Sequence, residues 1–302
     1  MDESARRAES PRPPVASRAQ RVEVGFGLAG HVLGIVAVLA LSFLAEVVVL
    51  GNIQHDRDQI RLAGEFRGEL AKGTAPVGPR DDNLTLLAPG SPVAIVEIPK
   101  LKLREAVVEG TSSGTLMSGP GHRRDTPLPG QAGTSVIAGR RTTYGGPFGA
   151  IDQLRAGDVI MVTTGQGKSS FRVSGLRHSG DPLPPALTAG QGRLTLVTSA
   201  GPVFAPSDLL RVDAALTSAA QPRPVQLPAG SLSAAEEPMA GDSSALLGVF
   251  EWSLLALAAA VATAWIRGNA GPGLAWLIGL PVLGPVCLRT FDVIATLFPN
   301  LL

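Results

Sequence analysis

Apolar residues are unevenly distributed along this chain: long uninterrupted runs lie near both ends, and short alternating segments fill the middle. The first run covers residues 24–51, and the other two cover residues 245–266 and 273–298. A helix rises about 1.5 Å per residue and the hydrocarbon core of a bilayer is about 30 Å thick, so each run is long enough to cross it. We predict one transmembrane helix at residues 24–51 and a hairpin of two within residues 243–302. A re-entrant hairpin is the alternative for that pair.

The charged residues beside these runs predict which side of the membrane each segment faces. Residues 1–23 are rich in arginine, proline and serine, which indicates a disordered tail, and the arginines favour the cytoplasmic side. The first run is longer than the apolar core of about 7–15 residues in a cleavable signal peptide, so we expect an uncleaved anchor. Arg267, in the short loop between the last two runs, fits a cytoplasmic turn. We therefore predict a multi-pass plasma-membrane protein whose main domain is extracytoplasmic.

That main domain, residues 91–217, consists of short segments rich in valine, isoleucine and threonine, separated by glycine, proline or aspartate. Such segments are typical of β-strands, so the predicted fold class is mainly β, and their spacing favours a closed barrel or a sandwich. The predicted strands are residues 93–98, 105–109, 134–138, 158–164, 169–176, 193–198 and 209–215.

Two connecting segments flank the β-rich domain. Residues 52–90 are predicted to form a helical segment and a linker, because apolar residues from Ile60 to Leu70 recur at near-helical spacing before a stretch rich in proline and glycine. Residues 218–242 are predicted to be a second linker, by their proline, serine and alanine content.

Composition and charge exclude several classes of function. The formal net charge is +1 and aromatic residues make up 4% of the chain, which gives no argument for a nucleic-acid partner. Cys287 is the only cysteine and the four histidines are scattered, so neither a disulfide nor a zinc-binding pattern is present. No glycine-rich loop precedes a long helix, which removes the argument for a nucleotide site. We predict no cofactor, no metal and no nucleic-acid ligand.

The stretch "GRLTLVTSAG", residues 192–201, predicts a strand that delivers Ser199 to an exposed rim. Ser199 is not part of a G-x-S-x-G turn, because Val197 occupies the first glycine position and no amphipathic helix follows. A serine nucleophile also needs a positioned base. The residues alone leave open whether Ser199 is a nucleophile, the remnant of one, or a turn residue.

Several longer motifs resemble one family. "VEIPKLKL", "VVEGTSSGTLMSGPGHRRDTPLPGQAG", "VIAGRRTTYGGPFGAIDQLRAGDVIMV" and "RLTLVTSAG" occur in this order. Residues 93–214 thereby resemble the sortases, most closely the class E sortases of Gram-positive actinobacteria. The resemblance implies a sortase-type closed β-barrel outside the cell and a Cys–His–Arg triad. In that triad a thiolate attacks a sorting-signal peptide, a histidine transfers protons, and an arginine stabilises the oxyanion.

This sequence departs from the family pattern at all three positions. The resemblance places Arg140 where the histidine is expected, Ser199 where the cysteine is expected and Asp208 where the arginine is expected, with Arg211 as the alternative for the last position. A hydroxyl is a far weaker nucleophile than a thiolate, and arginine stays protonated near neutral pH, so it cannot act as a base. An aspartate would repel a developing oxyanion.

We therefore predict a catalytically inactive sortase-like protein that binds a sorting-signal-like peptide, a cell-envelope protein or an active sortase. One alternative is an active transpeptidase or peptidase that uses Ser199 with unusual partners, for which His122 is the candidate rescuing base. Another is a structural membrane component whose function lies in its spans. The charge exchange also suggests that Arg140 and Asp208 form an ion pair across Ser199.

Overall fold

The structure is a computed structural model that describes residue 33 and residues 37–81, 83–228 and 230–302. Residues Ala45–Leu302 form one compact unit. The predicted cytoplasmic tail, residues 1–23, lies outside the described residues, as does most of the first half of the predicted span at residues 24–51.

Eight strands form a closed barrel in the order β1-β2-β3-β4-β7-β8-β6-β5. This confirms the mainly β fold class and decides for a barrel over a sandwich. Seven strands agree with the predicted segments to within two residues at each end; β3 was not predicted, because two residues carry no alternation. The strands are β1 (Pro92–Ile98), β2 (Leu103–Glu109), β3 (Gly121–His122), β4 (Gly133–Ala138), β5 (Val159–Thr164), β6 (Gly167–Arg177), β7 (Gly192–Ala200) and β8 (Asp208–Leu216).

The alternation of side chains along β7 decides which of its residues face the barrel interior. Leu194 and Leu196 are buried in the main apolar core, as is Leu210 on the neighbouring strand β8. Successive residues of a strand point to opposite faces, so Ser199 lies on the outer face of the barrel. Ser199 is directly opposite Leu209 in the antiparallel β7–β8 pair. Ser199 therefore belongs to a surface outside the main core.

The helix before the barrel, α1 (Ala37–Lys72), is continuous and includes a π-helical turn at Glu46–Leu50. This one helix contains both the second half of the predicted first span and the predicted amphipathic segment. Leu62 and Phe66 on its later turns are buried against β2 and β1 and hold the helix on the barrel. Gly73, with a φ of +73°, ends the helix in the left-handed conformation that glycine adopts readily.

Two further helices, α2 (Leu246–Ala270) and α3 (Pro272–Ala295), follow the barrel and form an antiparallel hairpin. The methyl group of an alanine at Gly279 would lie 2.4 Å from Thr263, so this glycine lets the two helices approach closely. The two ends of the hairpin lie side by side, since Asp242 N donates to Thr296 O at 2.9 Å, and they lie at the barrel, since Ser113 Oγ donates to the carbonyl oxygen of Ala295 at 3.5 Å. By length and composition, α1, α2 and α3 are each able to cross a membrane.

Candidate functional site around Ser199

Ser199 stands at the end of β7, and the last residues of the sequence cover it. Its side chain and main chain are only 2% exposed, so the expectation of an exposed rim is wrong. The Ser199 hydroxyl donates a hydrogen bond of 2.8 Å to the carbonyl oxygen of Leu301, and the main-chain N–H of Arg141 donates to the same oxygen at 3.2 Å. Ser199 is therefore a hydrogen-bond donor to a peptide carbonyl that is 102 positions away in sequence.

Arg140, at the position of the expected histidine, is 1% exposed. Its guanidinium donates to the carbonyl and hydroxyl oxygens of Ser113 at 2.8 and 2.9 Å and to Thr143 Oγ1 at 3.0 Å. It also lies over the Tyr144 ring, 5.0 Å from its centroid. Burial lowers the pKa of Arg140 to about 10, which leaves the side chain protonated at neutral pH. Arg140 therefore cannot serve as the base that a serine nucleophile requires.

Asp208, at the position of the expected arginine, is the first residue of β8 and lies opposite Ala200. Its carboxylate is 2.7 Å from His178 Nδ1 and accepts from the main-chain N–H groups of Ser179 at 3.0 Å and Leu209 at 2.7 Å. Hydrogen bonding from Ser179, then from Leu209 and His178, holds the pKa of Asp208 well below its ordinary value. Asp208 is therefore an anion that fixes the chain after β6.

The proposed ion pair between Arg140 and Asp208 is wrong, because each side chain has other partners. Arg140 turns into the buried space beside Ser113, and Asp208 turns towards the chain that follows β6. Complementary charges at neighbouring positions of the site did not fix where the side chains point.

Arg211, the alternative for the family's arginine, lies opposite Val197 on β7 and Arg177 on β6. This register places it two residues beyond Leu209, the residue opposite Ser199. His122, the candidate rescuing base, is 2% exposed; its Nδ1 is 2.9 Å from Glu109 Oε2 and its Nε2 is 3.1 Å from the carbonyl oxygen of Pro127. Both ring nitrogens of His122 therefore have partners other than Ser199.

A cavity of about 290 Å³ lies beside Ser199. Arg141 is in its lining and donates from Nη1 to the carbonyl oxygen of Gly201 at 2.7 Å, which ties the chain after β4 to the chain after β7. His178 also lines this cavity. Sequence reasoning singled out neither Arg141 nor the cavity, since no local pattern brings together residues from the chain after β4 and from β6, β7 and β8.

Comparison with known proteins places this barrel in a family. The model of the sortase domain matches residues 96–215. Sortase SrtE1 of Streptomyces coelicolor is 28% identical over 169 residues, which make up 54% of this chain and 44% of that relative, so less than half of the relative's length is matched.

Two solved structures contain chains that are similar in sequence to part of this one. Sortase E from Streptomyces avermitilis is 32% identical, and the match covers 44% of this chain and 91% of that one, with a TM-score of 0.38. Sortase E1 from Streptomyces coelicolor, solved with a tripeptide in its active site, is 27% identical over 43% of this chain and 91% of that one, with a TM-score of 0.37. Because the domain match and the identity to a nearly complete sortase E agree, this chain belongs to the sortase family.

Proposed function

We propose that this protein is a membrane-anchored, extracytoplasmic member of the sortase family that binds a peptide beside Ser199 without cleaving it. The observation that carries the proposal is the Ser199 hydroxyl, which donates to a peptide carbonyl oxygen at 2.8 Å. A nucleophile would instead give its proton to a base and direct a lone pair at the carbonyl carbon. The hydroxyl thus acts in recognition of the main chain.

The charges around the site also oppose acyl transfer. In the part of the chain that the structure describes, no histidine or carboxylate lies within hydrogen-bonding distance of Ser199 Oγ. Arg140 remains protonated at neutral pH, and Asp208 carries a negative charge where a sortase needs a positive one. Activation of the hydroxyl therefore lacks a base in hydrogen-bonding contact, and the position of the family's arginine carries an anion.

Peptide binding does not need the triad, since shape and main-chain hydrogen bonds are enough for it. The end of β7 and the chain after β4 already hold a peptide segment of this chain through such bonds. The tripeptide in the active site of the Streptomyces coelicolor sortase E1 supports the same kind of ligand. A sorting-signal-like peptide, carried by a cell-envelope protein or presented together with an active sortase, is the partner that fits.

Three helices able to cross a membrane support the anchoring. Both ends of the α2–α3 hairpin lie at the barrel, and about 24 residues at 1.5 Å each span about 36 Å, more than the hydrocarbon thickness of about 30 Å. This favours two full spans over a re-entrant hairpin, with the barrel and residues 296–302 on the extracytoplasmic side.

Turnover measurements on the full chain in detergent micelles test the proposal. We expect no cleavage or transfer when the native protein is incubated with sorting-signal peptides and an amine acceptor, under conditions in which an active sortase E shows turnover. Ser199→Cys alone should add little, because groups of a triad act as a unit. Turnover by the native chain that disappears in Ser199→Ala would show that the protein is an enzyme.

A second function, a serine peptidase, is favoured by one observation. His178 and Ser199 line the same cavity, and His178 Nδ1 is bonded to Asp208, as a base oriented by a carboxylate would be. In that case peptide hydrolysis would be lost in both Ser199→Ala and His178→Ala. Hydrolysis that survives either substitution would exclude this pair from the reaction.

A further inference from the structure

We propose that residues 299–302 are a resident intramolecular ligand: they occupy the peptide-binding face around Ser199 and close it to other peptides until they are released. The inference rests on the proposed binding function and names the first occupant of that site. We call these four residues the plug. The plug follows α3 directly, so the occupant belongs to the membrane hairpin.

The barrel holds the plug by its main chain. The carbonyl oxygen of Leu301 accepts from the Ser199 hydroxyl and from the N–H of Arg141. The carbonyl oxygen of Leu302 accepts from the hydroxyl of Thr143 at 2.8 Å and from its N–H at 3.3 Å. Four donors from β7 and the chain after β4 therefore converge on the main-chain oxygens of two successive residues, a pattern that recognises main chain and not one particular side chain.

Apolar packing adds a pocket for one side chain. Leu301 is 0% exposed and packs with Leu116, Ala138 and Val197, the last two on the outer faces of β4 and β7. This cluster is separate from the main barrel core, so it is apolar surface that the plug covers. Removal of the Leu301 side chain from water therefore favours docking of the plug.

Asn300 fixes the register of the plug. It is 0% exposed, and its side-chain N–H groups donate to the carbonyl oxygens of Thr111 at 2.8 Å and Glu237 at 2.9 Å, while its side-chain oxygen accepts from Met239 N at 2.9 Å. Every polar function of the carboxamide is therefore satisfied by main chain. A shift of one residue would bury these groups without partners, which is costly.

The plug has the compact form of a turn. Leu302 N donates to the carbonyl oxygen of Pro299 at 3.1 Å, and proline at the start restricts the backbone before it docks. Its root is held as well, because Asn300 N donates to Ala240 O and Asp242 N donates to Thr296 O, both at 2.9 Å. Release of the plug therefore requires movement at the barrel end of the α2–α3 hairpin, so the hairpin controls access to the site.

The accessibility of a thiol at position 199 tests the proposal on the full chain in detergent micelles. Ser199→Cys in a Cys287→Ser background provides a single thiol, and Lys168→Cys in the same background provides an exposed reference. We expect the thiol at position 199 to react with a soluble maleimide at least about tenfold more slowly than the reference, because reaction must wait for release of the plug.

Substitutions in the plug should then open the site. Leu301→Asp should accelerate labelling at position 199 by about tenfold or more, and Leu301→Ala by a smaller factor, since labelling follows the fraction of molecules with the plug released. Leu183→Asp, the same change at a residue that is 81% exposed and outside the plug, is the matched control and should leave the rate unchanged. If Leu301→Asp does not fold, Leu301→Ala decides.

A peptide added in trans completes the test. A synthetic peptide with the sequence of residues 296–302 should slow labelling again in the Leu301→Ala protein, and the same peptide with aspartate in place of its Leu301 should not. The proposal is wrong if the parent reacts as fast as the exposed reference, if both Leu301 variants keep the slow rate of the parent, or if the peptide gives no protection. These outcomes leave the turnover assay untouched, so failure of the plug and failure of the inactive-protein proposal are distinguishable.

Discussion

The guanidinium of Arg140 is bound by the carbonyl and hydroxyl oxygens of Ser113, at 2.8 and 2.9 Å. In the described part of the chain, no carboxylate forms a salt bridge with this buried cation. Burial of a charge is costly unless hydrogen bonds compensate it, so Ser113 and Thr143 together decide whether Arg140 is tolerated. The hydroxyl of Thr143 also donates to the plug, which makes Arg140 a support for the peptide-binding face.

Arg140→Ala should lower the free energy of unfolding by about 2–5 kcal/mol, because it removes a large buried side chain and leaves the oxygens of Ser113 without their donor. Arg140→Met should cost less, since it fills much of the space and buries no charge. Denaturant unfolding of the full chain in micelles measures both. Arg67→Ala, at an exposed position of α1, is the control and should stay within about 0.5 kcal/mol of the native protein. Equal losses for alanine and methionine would contradict this account.

The barrel could be predicted because its signal is local. Most of the seven predicted strands are short segments rich in valine, isoleucine and threonine, and the turns between them carry glycine, proline or aspartate. Strand β3 escaped because Gly121 and His122 are too few to alternate, although they pair with both β2 and β4. The sequence divides the first span from the amphipathic segment at residue 51, whereas the structure has one continuous helix, whose later turns are held on the barrel by Leu62 and Phe66.

The sequence indicates where the candidate site lies, but not which groups its side chains contact. The resemblance placed Ser199 and Arg140 in one region, and in the structure the chain that carries Arg140 and Arg141 borders the carbonyl that Ser199 binds. The sequence does not predict that Ser199 binds the carbonyl oxygen of Leu301, 102 positions away. No pattern in the residues after α3 indicates that they pack against β7. The direction of the Arg140 side chain could not be predicted either. Its partner Ser113 is uncharged and lies in another loop, so no charge pattern links the two residues.

The carboxylate of Asp208 should contribute to stability in a pH-dependent way. Its pKa in the folded protein lies well below the ordinary value of about 3.9, so its contribution is fully present above that value and is lost as the pH falls through the folded pKa. The difference in unfolding free energy between the native protein and Asp208→Asn should therefore be constant from pH 7 to about pH 5 and shrink below about pH 4.

Unfolding measured at a series of pH values checks this, with Asp152→Asn at an exposed carboxylate as the control. A difference that persists unchanged down to the most acidic pH at which the protein folds would mean that the bonds to Ser179 and Leu209 do not depend on ionisation of Asp208. His178→Ala should reduce the difference only in part, since these two main-chain bonds remain.

Cysteine labelling of intact cells should show the barrel outside and the hairpin turn inside. Lys168→Cys, at the exposed start of β6, should react with a membrane-impermeant maleimide, and Asn269→Cys, beside the α2–α3 turn, should react only after the cells are permeabilised. Both substitutions are made in the Cys287→Ser background. Labelling of position 269 and not of position 168 in intact cells would reverse the topology, and labelling of both would favour a re-entrant hairpin.

Gly241 should be intolerant of any side chain, because it lies where the chain before α2 crosses the chain after α3. A methyl group there would stand 2.1 Å from the carbonyl oxygen of Leu297. Hydrogen bonds join the two segments on both sides of Gly241: Asn300 N donates to Ala240 O, and Asp242 N donates to Thr296 O. The main chain therefore cannot move aside without breaking these bonds. Gly241→Ala should therefore lower the free energy of unfolding by about 1–3 kcal/mol, the usual cost of overpacking.

In the protein that carries Ser199→Cys and Cys287→Ser, Gly241→Ala should also accelerate maleimide labelling at position 199, since the root of the plug is displaced. Gly64→Ala is the matched control: nothing lies within 4 Å of the added methyl group, and alanine in a helix should be neutral or stabilise by about 0.5–1 kcal/mol. If Gly241→Ala unfolds and labels like its parent, the crossing does not hold the plug, and access to Ser199 is independent of the hairpin.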